Sequence, residues 1–352
     1  MGGRYSALTA FGLVPAALVG IDVERILALA RAMQADCGPE VAARLHPGLR
    51  LGAILGGLAR AGRDKVILVP SPSLQALPPW LEQLIAESLG KRGTGIVPVS
   101  GEVDPWEALG ARDRLLVVFG VPGEATGDPG GERSAPGDPN PVLFFDLPEP
   151  DEIASEFFRW EFAVASAGSI LHVDPFDQPD VELAKELARE AMAGPAKDPA
   201  LGADAFPVAE RGALTTALRA WCALARPGDY VAVQAFLDPN DAVRSGVQEL
   251  GFALRRKLRL ATTVAFGPRF LHSTGQLHKG GPPSGMFLQL IDEPSVDLEV
   301  PGMSISFARI LRAQADGDAQ ALLERGRRLL RVQLGGNAAA GLAILRDEVA
   351  SS

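Results

Sequence analysis

The chain reads as an α/β protein: parallel sheets with helices on both faces. Three observations carry this. Short apolar runs recur along it: K-V-I-L-V-P at 65–70, R-L-L-V-V-F-G at 114–120, Y-V-A-V-Q-A-F-L from Tyr230 and M-F-L-Q-L-I-D from Met286. Such unbroken runs suit strands buried on both faces. Longer stretches with helical spacing and cap residues separate them, the pattern of βαβ units. Finally, 352 residues with 47% hydrophobic content can fill two cores.

In chain order, residues 6–35 predict two helices, broken by Gly12, Pro15 and Gly20, the second opening near Asp22. Residues 49–61 predict another. A strand at 65–70 leads into the helix L-P-P-W-L-E-Q-L-I-A-E-S-L-G-K, with Pro79 in its first turn. Strands follow at 95–99, 114–120 and 141–147. Residues 121–140, rich in Gly, Pro and Asp, predict a loop. Residues 194–210 read as linker, placing domains at 1–196 and 210–352 with 197–209 between them. The second region again alternates: a strand from Tyr230, a helix at 241–258, a strand from Ala261, strands at 286–292 and 297–302, then mostly helix. A short strand R-V-Q-L-G-G and a helix at 338–349 end it.

The stretch that organises the first region runs from Glu156 to Glu186. Phe157, Phe158, Trp160 and Phe162 are followed by Ala163, Ala165, Ala167 and Gly168, small enough for close helix packing. The corner D-P-F-D-Q-P then bars a continuous helix, because each proline fixes φ and lacks a donor. A second helix is expected from about Pro179, with Gln178 and Lys185 two turns apart and able to face one site. An amide and an ammonium on a stiff corner suit a polar, anionic small molecule; a solvated helical hairpin is the alternative.

Composition narrows the function. A net charge of −9 speaks against nucleic acid and acidic membranes as partners. Cys37 and Cys222 are too few for a disulfide framework or a Cys-x-x-Cys metal site, and fit a reducing cytoplasm. No apolar run reaches the roughly 18–20 residues of a membrane span. No signal peptide precedes G-G-R-Y-S. No G-x-G-x-x-G follows a strand, which disfavours a dinucleotide-dependent oxidoreductase.

Three blocks speak more specifically: G-G-R-Y-S-A-L-T-A-F-G-L-V-P at 2–15, W-L-E-Q-L-I-A-E-S-L-G-K-R-G-T-G-I-V-P-V at 80–99, and F-F-R-W-E-F-A followed by D-P-F-D-Q-P-D-V-E-L-A-K. Together they resemble the glucose-6-phosphate isomerases. The remainder, with G-P-R-F-L-H-S-T-G-Q-L-H-K-G-G-P, resembles the isomerase half of the transaldolase-fused kind. The resemblance implies a sugar-isomerase (SIS-type) parallel sheet with a second α/β region. It also implies exchange of glucose 6-phosphate and fructose 6-phosphate through a cis-enediol, with no metal or organic cofactor.

Site residues follow from the same blocks. Gly3 allows close backbone approach, and Arg4 would steady the enediolate. Glu87 would be the general base, since aldose–ketose exchange without hydride transfer needs one group that takes and returns a proton. Gln83, one turn earlier, would position the sugar together with Gln178. Lys185 would contact the ring oxygen during ring opening. The family uses a histidine for that step, commonly lent by the other subunit, so a homodimer is compatible with the pattern. His278, beside a Gly-Gly-Pro turn, is the first choice and His272 the second. Both follow Lys185 here, whereas the family's histidine precedes its lysine. His46 and His172 read as structural or solvent-facing.

Family members hold the sugar phosphate on a Ser/Thr-rich loop upstream of the G-G-R block. Ser71, Ser73 and Thr94 form no equivalent. The phosphate loop is therefore expected from an upstream transaldolase/isomerase segment or a partner, and slow isomerisation is expected from residues 1–352 alone. A non-catalytic sugar-phosphate-binding fragment is the rival expectation.

Overall fold

The computed structural model describes residues 3–101, 112–125, 141–179, 205–293, 296–303 and 305–351. The chain divides into two compact units, Met1–Gln178 and Pro179–Ser352. Each is a parallel α/β unit, as the alternating pattern predicts.

Unit 1 carries a four-stranded sheet in the order β2-β1-β3-β4, formed by β1 (Lys65–Pro70), β2 (Val97–Ser100), β3 (Arg114–Gly120) and β4 (Val142–Asp146). All pairs are parallel, with Lys65 opposite both Val97 and Arg114. Among the described residues its α-helices are α1 (Ala10–Leu18), α2 (Val23–Asp36), α3 (Pro47–Arg60), α4 (Leu77–Leu89) and α5 (Ile153–Leu171). Their starts follow local chemistry. The Thr9 hydroxyl accepts from Phe11 N at α1, and Asp22 accepts from Arg25 N at α2. His46 caps α3 through Nδ1, accepting from Leu49 N at 3.1 Å, so this buried histidine is structural, as expected.

Trp160 lies at the centre of the core, wholly buried, with its ring 6.0 Å from Phe119 and 5.9 Å from Phe145. Helices α3 and α5 pack unusually close, through a stripe the sequence reading missed. Gly48, Gly52 and Gly56 recur at every fourth position of α3. A Cβ on Gly52 would sit 2.6 Å from Ala163 O and from Ser166 Cβ; one on Gly48 would sit 2.7 Å from the Phe162 ring. The small residues noted in α5 are the other half of this contact. Helix α5 stops at His172, whose left-handed backbone (φ 58°) lets Val173 N reach Gly168 O. The chain then enters the D-P-F-D-Q-P corner. The helix expected from Pro179, with Lys185, lies outside the described residues, as does most of the loop at 121–140.

Unit 2 carries five parallel strands in the order β5-β9-β8-β6-β7. They are β5 (Phe206–Pro207), β6 (Tyr230–Phe236), β7 (Ala261–Phe266), β8 (Gly285–Ile291) and β9 (Arg328–Gln333). The helices are α6 (Arg211–Cys222), α7 (Asp241–Leu258), α8 (Gly275–Gly280), α9 (Phe307–Glu324) and α10 (Ala338–Ser351). Two differences from the sequence reading stand out. Phe206 and Pro207, within the stretch read as linker, pair with Val332 and Gln333. Residues 297–302, read as a strand, form only an isolated bridge between Glu299 and Ser306. Leu298 is exposed there, and the Asp297 carboxylate caps Leu298 N and Ala308 N, turning the chain into α9.

Candidate active site

The candidate site is assembled on α4 in unit 1. This helix begins with prolines at its first turn and runs from the carboxyl end of β1 toward the amino end of β2. Gln83 and Glu87 sit one turn apart on one face, and Gln83 Nε2 donates to Glu87 Oε2 at 3.4 Å. Two other segments reach the same oxygen. Gln178, from the corner, donates from Nε2 at 3.0 Å. Arg4 places Nε 3.7 Å away.

Glu87 and Arg4 are 4% and 5% exposed, so neither is the solvated surface group that spacing alone allows. Arg4 occupies a short 3₁₀ turn, Gly3–Tyr5, and is held by Nη2 donating to Phe176 O at 3.1 Å. Among the described residues Arg4 Nη1, also buried, makes no hydrogen bond. A buried donor without a partner is costly and suits a site that receives an oxygen-rich ligand. Gly3 matters sterically: a Cβ there would lie 3.2 Å from Gln83 Oε1. Tyr5 continues the contact, its hydroxyl donating to Ser88 Oγ at 3.2 Å and its ring 5.1 Å from Phe176. Burial pushes the Tyr5 phenol pKa upward.

Sequence reasoning passed over Lys91. It lies just past α4, is 2% exposed, and donates from Nζ to the Asp177 carbonyl and to Asp177 Oδ1, both at 2.6 Å, and to the Asp174 carbonyl. Burial pushes its ammonium pKa down, against the opposing pull of Asp177. The G-K-R-G-T wording contains this residue, but nothing local says that its side chain turns inward.

The two histidine candidates belong to unit 2. His272 is exposed, at the end of a 3₁₀ turn, Arg269–His272. His278 is followed by the Gly-Gly-Pro turn and a strand, as expected, but its side chain is enclosed. It lies inside α8, 3% exposed, with its ring 5.1 Å from Phe287, 6.0 Å from Phe270 and 6.3 Å from Tyr230. Its Nδ1 lies 3.3 Å from Gln234 Nε2. Burial, with Lys279 and Arg327 nearby, drives its pKa well below the usual imidazole value, so it stays neutral at physiological pH.

Among the described residues no group of three or more His, Cys, Asp or Glu is placed to hold a metal, and no helix is long and apolar enough to cross a membrane. An open cavity of about 690 Å³ on unit 1, between α2, α3, β4 and α5, contains none of the predicted site residues.

No protein-family model matches the chain. Curated proteins do. A glucose-6-phosphate isomerase of Rubrobacter xylanophilus is 30% identical over 237 residues, 55% of this chain and 54% of that one. One of Symbiobacterium thermophilum is 32% identical over 226 residues, 53% and 50% of the two chains. A probable glucose-6-phosphate isomerase of Haloarcula marismortui is 31% identical over 232 residues, 56% and 52%. The chain spans about half the length of the curated relatives it matches. A solved glucose-6-phosphate isomerase from Chlamydia trachomatis aligns at 13% identity over 98% of this chain and 80% of that one, with a TM-score of only 0.27.

Proposed function

We propose, from homology over half the chain to glucose-6-phosphate isomerases, that the Glu87 cluster interconverts glucose 6-phosphate and fructose 6-phosphate by proton transfer. The observation that carries this is convergence. A buried carboxylate receives amide and guanidinium groups from three separate segments, and among the described residues one guanidinium nitrogen makes no hydrogen bond.

Glu87 takes the proton from C2 of the open-chain aldose. The C–H electron pair becomes the C1=C2 bond, and the carbonyl electrons move onto O1, giving the cis-enediolate. The O2 proton passes to O1, the O2 electron pair forms the C2=O2 bond, and the C1=C2 pair takes the proton back from Glu87 at C1. Arg4 stabilises the oxygen charge that develops, an effect strengthened where water is excluded. Gln83 and Gln178 hold the carboxylate and orient the sugar hydroxyls. Lys185 is assigned to the ring oxygen. His278 is the histidine proposed for ring opening.

The test follows proton and product together. Sugar deuterated at C2 should lose its label to water as fructose 6-phosphate forms in a coupled assay. Glu87→Gln should lower kcat by roughly 10²–10⁴, the usual cost of losing a general base. Turnover near wild type in that variant removes Glu87 from the mechanism. Binding of glucose 6-phosphate by the 352-residue chain with neither label loss nor turnover would favour a non-catalytic sugar-phosphate-binding protein.

A further inference from the structure

We propose that Lys91 is a positioning residue of this site: it pins the D-P-F-D-Q-P corner to the end of α4 and thereby sets Gln178 and Arg4 against Glu87. The inference rests on the reading of Glu87 as the base.

The ammonium has three protons, and three acceptors surround it: Asp174 O, Asp177 O and Asp177 Oδ1. Two of the three are main-chain carbonyls. A surface lysine that only balanced Asp177 would need the carboxylate alone, and would stay in water. Lys91 is instead buried, and its partners fix the path of the backbone. Between Asp174 and Asp177 lies Phe176, whose carbonyl accepts from Arg4 Nη2; directly after Asp177 comes Gln178, which donates to Glu87. Both site contacts made by the corner are thus bracketed or adjoined by what Lys91 holds.

The anchor is itself rigid. Lys91 N and Thr94 N each donate to the other's carbonyl at 3.0 Å. The two residues between, Arg92 and Gly93, have φ of 53° and 78°, the signs of a type I′ turn. Lys91 therefore stands four residues after Glu87, just past the end of α4, is fastened by a tight turn, and reaches across 83 to 86 residues of sequence to the corner. The Asp174 carboxylate accepts from Phe176 N at 2.8 Å and stiffens the corner from within.

A double-mutant cycle in the full chain tests this. Lys91→Met should lower kcat by roughly 10- to 100-fold with KM changed less than about threefold, since a misplacement of about 1 Å can cost that much. In a Gln178→Ala background the same substitution should cost only a few-fold, because the contact it sets is already gone. Should Lys91→Met fail to fold, Asp177→Ala replaces it. That side chain is 46% exposed and supplies one acceptor of three, so a kcat loss of roughly two- to fivefold is expected, vanishing in the Gln178→Ala background. An equal cost in both backgrounds overturns the proposal, as does a lowered Tm with unchanged kcat. Glu87→Gln, measured alongside, separates the two ideas. If it is dead while Lys91→Met is normal, only the positioning role fails; if it is active, the reading of the base fails. Should the wild-type chain show no turnover, amide exchange at 174–178 decides. Faster exchange there in Lys91→Met supports the anchor, and unchanged exchange refutes it.

Discussion

Both units bury charged side chains under parallel sheets, but they close them differently. In unit 2 three buried cations find acceptors within the fold. Lys279 pairs with Asp318 at 2.6 Å with both side chains nearly inaccessible. Arg331 donates from Nε to Gln289 Oε1 at 2.7 Å and from Nη2 to Asp316. Arg327 donates to the carbonyls of Lys279, Gly281 and Pro282. In unit 1, donors from three segments crowd one carboxylate oxygen, and Nη1 of the arginine among them makes no hydrogen bond among the described residues. Buried polarity alone does not mark a site; convergence on one reactive group with bonding capacity left over does. Unit 2 tempers the rule: among the described residues Gln234 Oε1 and Asp318 Oδ2 are also buried without a hydrogen bond, although Gln234 meets His278 and Asp318 meets Lys279.

The comparison breaks most visibly at Lys279. Lys279→Met leaves Asp318 as an uncompensated buried charge, a loss of roughly 3–5 kcal/mol. Denaturant melts read by hydrogen exchange should show the loss in unit 2 peptides and spare those of unit 1. Uniform loss across both units would mean that they unfold as one.

His278 gives the next largest effect. Its aromatic enclosure predicts that His278→Ala costs roughly 2–4 kcal/mol of unit 2 stability, in the range of large-to-small core changes. Under the proposed role, turnover on cyclic sugar should also fall more than turnover on an open-chain analogue. An unchanged ratio between the two substrates would remove His278 from ring opening. A selective defect on the cyclic sugar in His272→Ala would assign it to His272.

The smallest effect concerns pH and sharpens the picture of unit 1. Glu156 on α5 is 4% exposed, and desolvation pushes its carboxyl pKa up to about 7 despite Arg159 at 3.1 Å. Glu161 is raised to about 7 as well, by desolvation. A carboxyl with a raised folded-state pKa binds its proton more tightly when folded. Unit 1 should therefore be most stable near pH 4.5 as far as these groups decide, and lose stability as pH rises from there through 7. Glu156→Gln should flatten that slope and stabilise unit 1 at pH 8 by roughly 1–3 kcal/mol, the order set by its shift. A Tm that falls at pH 8 in this variant would show that the Arg159 contact outweighs desolvation.

The sequence by itself determined a good deal. Periodicity and proline placement gave the strands at 65–70 and 114–120 and the helices at 77–91, which ends two residues earlier, and 241–258, because those signals act within one or two turns. The i, i+4 spacing placed Gln83 beside Glu87, and the wording of the G-G-R and D-P-F-D-Q-P blocks named Arg4 and Gln178 as their companions. The tertiary structure decided the rest. The glycine stripe of α3 has meaning only once α5 lies against it. Phe206 and Pro207 become a strand only where β9 offers an edge. Lys91 looks like any lysine after a helix until a corner more than 80 residues away wraps its ammonium. The Gly-Gly-Pro turn and strand after His278 were legible, but only the packing of Phe270, Phe287 and Tyr230 around it shows an enclosed ring. Local rules reach a few residues along the chain. Burial and partnership are set by segments far apart in sequence, and they decide whether a polar side chain is solvated, structural or available for chemistry.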